Sequence, residues 1–302
     1  MTDRGRTAEL VGGGLIGLAS IQFGIVVILG KLAQRSGISV FAMLAVRFGI
    51  AAVVIALALL FIRQGLVAAP RERRWLVGLG VVGYAVEASL FFAALRHGEA
   101  AAVTLLFFTY PVFVASVSIM LGRGAPGLLI GTALVCALGG AALVIAFSGR
   151  IAISPVGVAF ALGSALSFTA YLLLLDHTVR RTAPLVTSMW VAGAAAVALC
   201  VYALATGASW TTSGVKTWAE LAGMGVATSG AFVCLFVGLK RLGPVRTSIV
   251  AAAEPLATTI LAFAILHEKV RWAMAVGGVL ILVGAVMATV ARGVPPPEPP
   301  GP

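Results

Sequence analysis

Long apolar stretches alternate with short polar or glycine-containing breaks along almost the whole chain. Each stretch, at about 20 residues, is long enough to cross roughly 30 Å of hydrocarbon as a helix. The runs read as helices at 10–33, 38–62, 75–95, 99–121, 126–148, 155–175, 184–205, 219–239, 244–266 and 271–291. The first run is too long for the apolar region of a secretory signal and shows no cleavage site, and nine similar runs follow it. It is therefore expected to be retained. The segment from Gly293 to Pro302, GVPPPEPPGP, suits neither helix nor core and reads as a disordered tail.

Composition narrows this pattern to one class. Of 302 residues, 61% are hydrophobic and 10% charged, with mean hydropathy +1.10. That leaves too little polar surface for a water-soluble globule. Ten helices of about 22 residues use about 220 residues, so no extramembrane domain fits in the remainder.

In a soluble chain the net charge of +11 would suggest nucleic acid. Here the 21 Lys and Arg stand singly between apolar runs, without a basic stripe, and their expected role is orientation in the membrane. Arg47 and Arg246 lie inside spans. Of the rest, most fall on the side of the N-terminus, including Arg71, Arg73, Arg74, Arg180, Arg181, Lys240 and Arg241, so both termini are predicted to be cytoplasmic.

Cys136, Cys200 and Cys234 fall in apolar runs without ligand spacing, and no metal or cofactor is implied. His97, His177 and His267 fall in predicted loops. With Asp3 and Asp176 the only aspartates, an intramembrane hydrolase lacks its raw material. No nucleotide-binding pattern accompanies the 36 glycines, several of which (Gly139-Gly140, Gly277-Gly278) suit close helix packing.

The chain also repeats itself at a spacing of about 145 residues. In that register Gly78, Gly80, Val81, Leu90, Phe91, Arg96 and Gly98 meet Gly223, Gly225, Val226, Leu235, Phe236, Arg241 and Gly243, and Pro111 falls close to Pro255. Five predicted helices per half, over 10–148 and 155–291 with a tail at 292–302, put the halves in opposite orientations. The expected fold is an all-α membrane protein of ten transmembrane helices in two inverted five-helix repeats, an architecture common among secondary transporters.

The stretch from Ala94 to Gly124 (ALRHGEAAAVTLLFFTYPVFVASVSIMLGRG) and that from Leu239 to Val270 (LKRLGPVRTSIVAAAEPLATTILAFAILHEKV) resemble the two signature segments of the EamA-type drug/metabolite transporter superfamily. Each has a short basic turn and a small-residue helix with a central proline, followed by a glycine-rich helix. One departure is Glu268, whose counterpart region reads Gly122-Arg123-Gly124. Within the superfamily the chain is most similar to YddG-type exporters of aromatic and other neutral amino acids. The resemblance implies a carrier with a central cavity in a bacterial inner membrane. Its only implied partners are a small-molecule substrate and the lipid bilayer, with no nucleic acid and a monomer as the expectation.

Candidate chemistry is sparse. Charges at mid-membrane cost roughly 2.5–3.5 kcal/mol each on insertion scales, so Arg47, Glu87 and Glu254 are expected to face a cavity or a partner. Arg47 and Glu87 fall at similar depth. They form either a buried ion pair or a contact with substrate. Glu254, directly before Pro255, is either cavity-facing or held neutral by a neighbouring helix. Phe23, Tyr84, Phe107, Tyr110, Tyr171, Trp190 and Phe232 place aromatics away from the interfaces, as core or as cavity wall. Trp75, Trp210, Trp218 and Trp272 fall at span ends, as anchors. Pro111 and Pro255 bend their helices, as hinges or as static kinks. The function expected is export of small amphiphilic metabolites, most of all aromatic and neutral amino acids. A broad drug or metabolite efflux carrier is the alternative, and a membrane enzyme or receptor is disfavoured.

Overall fold

The computed structural model describes residues 3–121, 127–147, 153–210, 214–267 and 272–290. The tail, Glu268 and the Gly122–Gly124 segment lie outside the described residues. Among those described, the regular structure is helical, apart from an isolated bridge between Gly98 and Ile153. Seven helices are long and apolar enough to cross a membrane, and shorter apolar helices accompany them. This is a multi-pass membrane protein.

The order is α1 (Asp3–Gln34), α2 (Val40–Phe61), α3 (Arg73–Gly78), a π-turn (Leu79–Tyr84), α4 (Ala85–Arg96), α5 (Ala100–Phe107) and α6 (Tyr110–Met120). Then come α7 (Leu128–Phe147), α8 (Pro155–Thr178), α9 (Pro184–Ala205), α10 (Val215–Val250), a 3-10 turn (Ala251–Ala253), α11 (Glu254–Leu261), a second π-turn (Ala262–Leu266) and α12 (Trp272–Val290).

Local chemistry sets the boundaries. Ser39 Oγ accepts the amide of Ala42 to start α2, and Ser154 Oγ accepts that of Gly157 to start α8, where Pro155 costs no helical hydrogen bond. α8 runs on to Thr178, so His177 lies in its last turn and not in a loop.

Three expected spans are less regular than their hydropathy suggests. The 99–121 run divides at Phe108-Thr109 into α5 and α6, with Pro111 in the first turn of the new helix. The 244–266 run is broken by the 3-10 turn, with Pro255 in the first turn of α11. In both cases proline withholds the amide that would bond four residues back. The 75–95 run carries the first π-turn. Within α10, Gly243 is non-helical, with a φ of 74° that a side-chain-bearing residue adopts only with strain, so the eighth run ends there and the ninth begins at Pro244, where the hydropathy places it.

The bundle is the reverse of a soluble protein. Val53, Leu57 and Leu60 on α2 and Val197, Val201 and Leu204 on α9 are exposed, whereas Arg47, Glu87, Ser164, Thr228 and Glu254 are buried. With lipid outside, helices associate through close packing more than through apolar burial. Small residues make that packing work. A Cβ on Gly80 would lie 2.6 Å from the Val191 carbonyl of α9, and one on Gly225 would lie 2.5 Å from Ile50 Cβ of α2. Gly140 of α7 likewise meets the Gly277 carbonyl of α12.

At one end of the bundle Glu72 ties three segments together. Its carboxylate accepts the amides of Arg180, Arg181 and Thr182 at 2.9, 2.7 and 2.8 Å and the Thr182 hydroxyl at 2.6 Å. Lys240 Nζ donates to the Arg180 and Thr182 carbonyls of the same loop. Burial pushes the Glu72 carboxyl up, but the four hydrogen bonds to its charged form outweigh that and hold it at about 2.

Candidate substrate cavity

Arg47, Glu87 and Glu254 come from three distant parts of the chain and line one cavity, together with Ser20, Phe23, Tyr84, Phe107 and Tyr110. The cavity volume is about 50 Å³, room for a few waters. Its walls are drawn from both halves of the chain.

α2 delivers Arg47, of which 3% is exposed. Its Nε donates to Thr228 Oγ1 of α10 at 2.7 Å, and the guanidinium carbon sits 4.6 Å from the Phe48 ring centroid and 5.5 Å from that of Phe92. This is a cation held by the hydroxyls of Thr228 and Tyr84 and by two ring faces. α4 delivers Glu87 just beyond the π-turn. Ser164 Oγ of α8 lies 3.1 Å from Glu87 Oε1 and 3.2 Å from the Glu87 carbonyl. Arg47 and Glu87 interact electrostatically, and Arg47 also feels Tyr84 and Glu254. The hydrogen bonds of Arg47 run to Thr228 and Tyr84, and Glu87 accepts from Ser164. Glu254 enters from the first turn of α11, 7% exposed, and interacts with both Glu87 and Arg47.

The aromatic residues form a continuous wall. Tyr84 packs edge-on against Phe48, Tyr171 and Phe232, with centroids at 5.5, 5.2 and 4.7 Å. Phe168 joins Phe107 and Tyr110 at 5.4 and 4.9 Å. Such tilted and edge-on pairs suit the ring quadrupole. The two helix breaks meet beside the cavity: Tyr110 Oη donates to the Ser248 carbonyl at 3.2 Å, and Thr169 Oγ1 of α8 donates to the Tyr110 carbonyl at 3.4 Å.

Both segments match the model of the EamA-like transporter family, over residues 10–146 and 155–290. The chain belongs to that family. It is 27% identical over 219 residues to an uncharacterized transporter of Archaeoglobus fulgidus, covering 72% of this chain and 77% of that one. It is 24% identical over 209 residues to the uncharacterized inner membrane transporter YicL of Salmonella typhimurium, covering 68% and 70%. A protein of known crystal structure shares its fold with a TM-score of 0.72 at 21% identity, over 93% of this chain and 97% of the other. The EamA membership makes this protein a membrane transporter.

Not every aromatic residue expected at a substrate site lines this cavity of the EamA transporter. Tyr171 and Phe232 stand behind Tyr84 as a second layer, almost fully buried. Trp190 is elsewhere: it borders an apolar outer groove between α2 and α9, and its indole Nε1 donates to the Leu66 carbonyl at 2.9 Å. It lies two turns from the start of α9, close enough for the loop before α3 to capture its N–H. Sequence reasoning missed Thr228 and Ser164, which orient the two charges, and Phe92 and Phe108 on the wall. The Phe92 ring fills the space that Gly30 leaves on α1, a pairing visible only once the helices are packed.

Proposed function

We propose that this transporter is a secondary carrier that exports small amphiphilic metabolites, aromatic and other neutral amino acids foremost, by alternating access around the Arg47, Glu87 and Glu254 cavity. The observation that carries the reading is the cavity itself. It is buried, aromatic-walled and built from both halves of the chain, with one arginine and two glutamates among mostly apolar neighbours. An amphiphile with one or two charges suits such walls. A polyphosphate would need several basic groups, and among the described residues Arg47 is the one that lines the cavity.

Ten spans in two inverted repeats fit the packing. The repeat register pairs Gly80 with Gly225, and Gly80 rests on α9 while Gly225 rests on α2. Such crossed contacts are what a pseudo-twofold axis in the membrane plane generates. On this reading the breaks before Pro111 and Pro255 are hinges. Both termini and the Glu72 loops face the cytoplasm, where the basic residues concentrate, and the membrane is a bacterial inner membrane, the location in the name of the Salmonella relative. The carrier works as a monomer on an existing gradient.

Flux into proteoliposomes with a panel of labelled amino acids tests the proposal. Saturable, protein-dependent flux of phenylalanine or tryptophan is expected. Flux equal to that of protein-free vesicles across the panel would refute it.

A further inference from the structure

The three charges of the cavity are not equivalently engaged. Arg47 is fixed by Thr228, Tyr84 and the rings of Phe48 and Phe92, and it feels Glu87 more strongly than Glu254. Glu87 is fixed by Ser164. Glu254 has neither kind of support. It is more than nine-tenths buried and lines the cavity, and no described residue donates a hydrogen bond to its carboxylate. Two carboxyl groups thus face one guanidinium, and the second is left over.

We propose that Glu254 is the receptor for a substrate ammonium group. The cavity on this view requires a cationic amine on an apolar or aromatic body, and a carboxylate on the same molecule is an optional feature received by Arg47. A buried carboxylate with no donor of its own is costly to keep in apolar surroundings unless a cation arrives. An ammonium at Glu254 supplies that cation, and the ring faces of Phe23, Phe107 and Tyr110, on the same cavity, add cation–π attraction. A carboxylic acid without an amine does the opposite, adding a like charge beside Glu87 and Glu254. The inference rests on the cavity being the transport site, but it changes what selects the substrate: the amine is essential and the amino-acid carboxylate is not.

Three ligands with one aromatic body separate the groups: phenylalanine carries both charges, phenethylamine only the amine, and 3-phenylpropionate only the carboxylate. Binding of each to the purified full chain in detergent is measured by titration calorimetry. Phenethylamine is expected to bind within about tenfold of phenylalanine, and 3-phenylpropionate about tenfold or more weakly than phenethylamine. Glu254→Gln should weaken phenethylamine about tenfold to a hundredfold, the range of a charge-assisted hydrogen bond, and Glu254→Asp should retain most of it. If Glu254→Gln does not elute as a folded species, the three-ligand order on the parent decides alone. Binding of 3-phenylpropionate as tight as that of phenylalanine, absence of binding by all three, or an unchanged affinity in Glu254→Gln would overturn the proposal. Glu254-dependent binding of phenethylamine without phenylalanine flux would refute amino-acid export and leave the ammonium site standing.

Discussion

The Ser20 hydroxyl lies 3.3 Å from the Ala251 carbonyl, on the residue four places before Pro255. In an unbroken α-helix that carbonyl would accept the amide of residue 255, which proline does not have. The helix adapts by a 3-10 turn, in which the Glu254 amide bonds Ala251, and by borrowing a hydroxyl from α1. Ser20 also reaches the Ile16 carbonyl of its own helix at 3.0 Å, so one proton stands between two acceptors. The break that delivers Glu254 to the cavity is therefore held from outside its own helix.

Pro255→Ala restores the missing donor and should straighten this segment. If the break is a hinge, flux falls while substrate affinity changes only by the shift in conformer population. Ser20→Ala removes the outside support without repairing the helix and should cost about 1 kcal/mol of stability. Single-turnover flux with a parallel binding assay checks both. Parent-rate transport by Pro255→Ala would make the proline a static kink.

Thr228→Val isolates the support of Arg47. The buried Nε loses its acceptor, and an unsatisfied group of this kind costs about 1–3 kcal/mol. The guanidinium should then swing toward Glu87, the carboxylate it feels more strongly than Glu254. Melting in detergent should fall by several degrees, and substrate affinity should fall in the same variant. A melt unchanged from the parent would show that Thr228 does not hold Arg47.

The parts of this site that can be read from one helix at a time were legible. Tyr84, Glu87 and Phe91 share a face because they are three and four residues apart, and all three line the cavity. The cost of intramembrane charge likewise singled out Arg47, Glu87 and Glu254. What depends on how helices are rotated against each other was not legible. Thr228 and Ser164 are ordinary hydroxyl residues until α10 and α8 bring them against a charge. Trp190 has the same credentials as Phe107, yet a loop carbonyl claims its N–H. The helix breaks were half legible: the prolines marked their neighbourhood, but the irregular residues precede them, because proline is well placed in the first turn of the helix that follows.

Glu72 gives the fold a pH dependence outside the membrane. Its native carboxyl titrates at about 2 against an ordinary 4.5, so between those values the unfolded chain binds the extra proton and stability rises with pH. The contribution is complete above about 4.5 and lost as pH falls toward about 2. Melting temperature followed through this window should drop in the parent. In Glu72→Gln, destabilised by about 1–3 kcal/mol at neutral pH through lost hydrogen bonds to a charged acceptor, the drop should be smaller. Parallel curves for the two proteins would remove Glu72 from the account.

Gly80 and Gly225 test the repeat and the packing together. Adding a single methyl at Gly80 places it 2.6 Å from a backbone oxygen of α9, and at Gly225 it meets Ile50 at 2.5 Å and the Arg47 carbonyl at 3.1 Å. Neither neighbour is the free end of a flexible side chain, so the helices must separate. Overpacking of this kind costs about 1–3 kcal/mol. Gly17→Ala is the control, because a Cβ there has nothing within 4 Å. If the halves are inverted repeats, Gly80→Ala and Gly225→Ala loosen equivalent contacts on opposite sides of the pseudo-twofold axis. They should then favour opposite facing states while destabilising to a similar degree. Accessibility of single cysteines placed toward each end of the cavity, read with an impermeant thiol reagent in oriented vesicles, distinguishes the two. Opposite shifts in labelling are expected, and shifts of the same sign would argue that the two contacts are not related by symmetry.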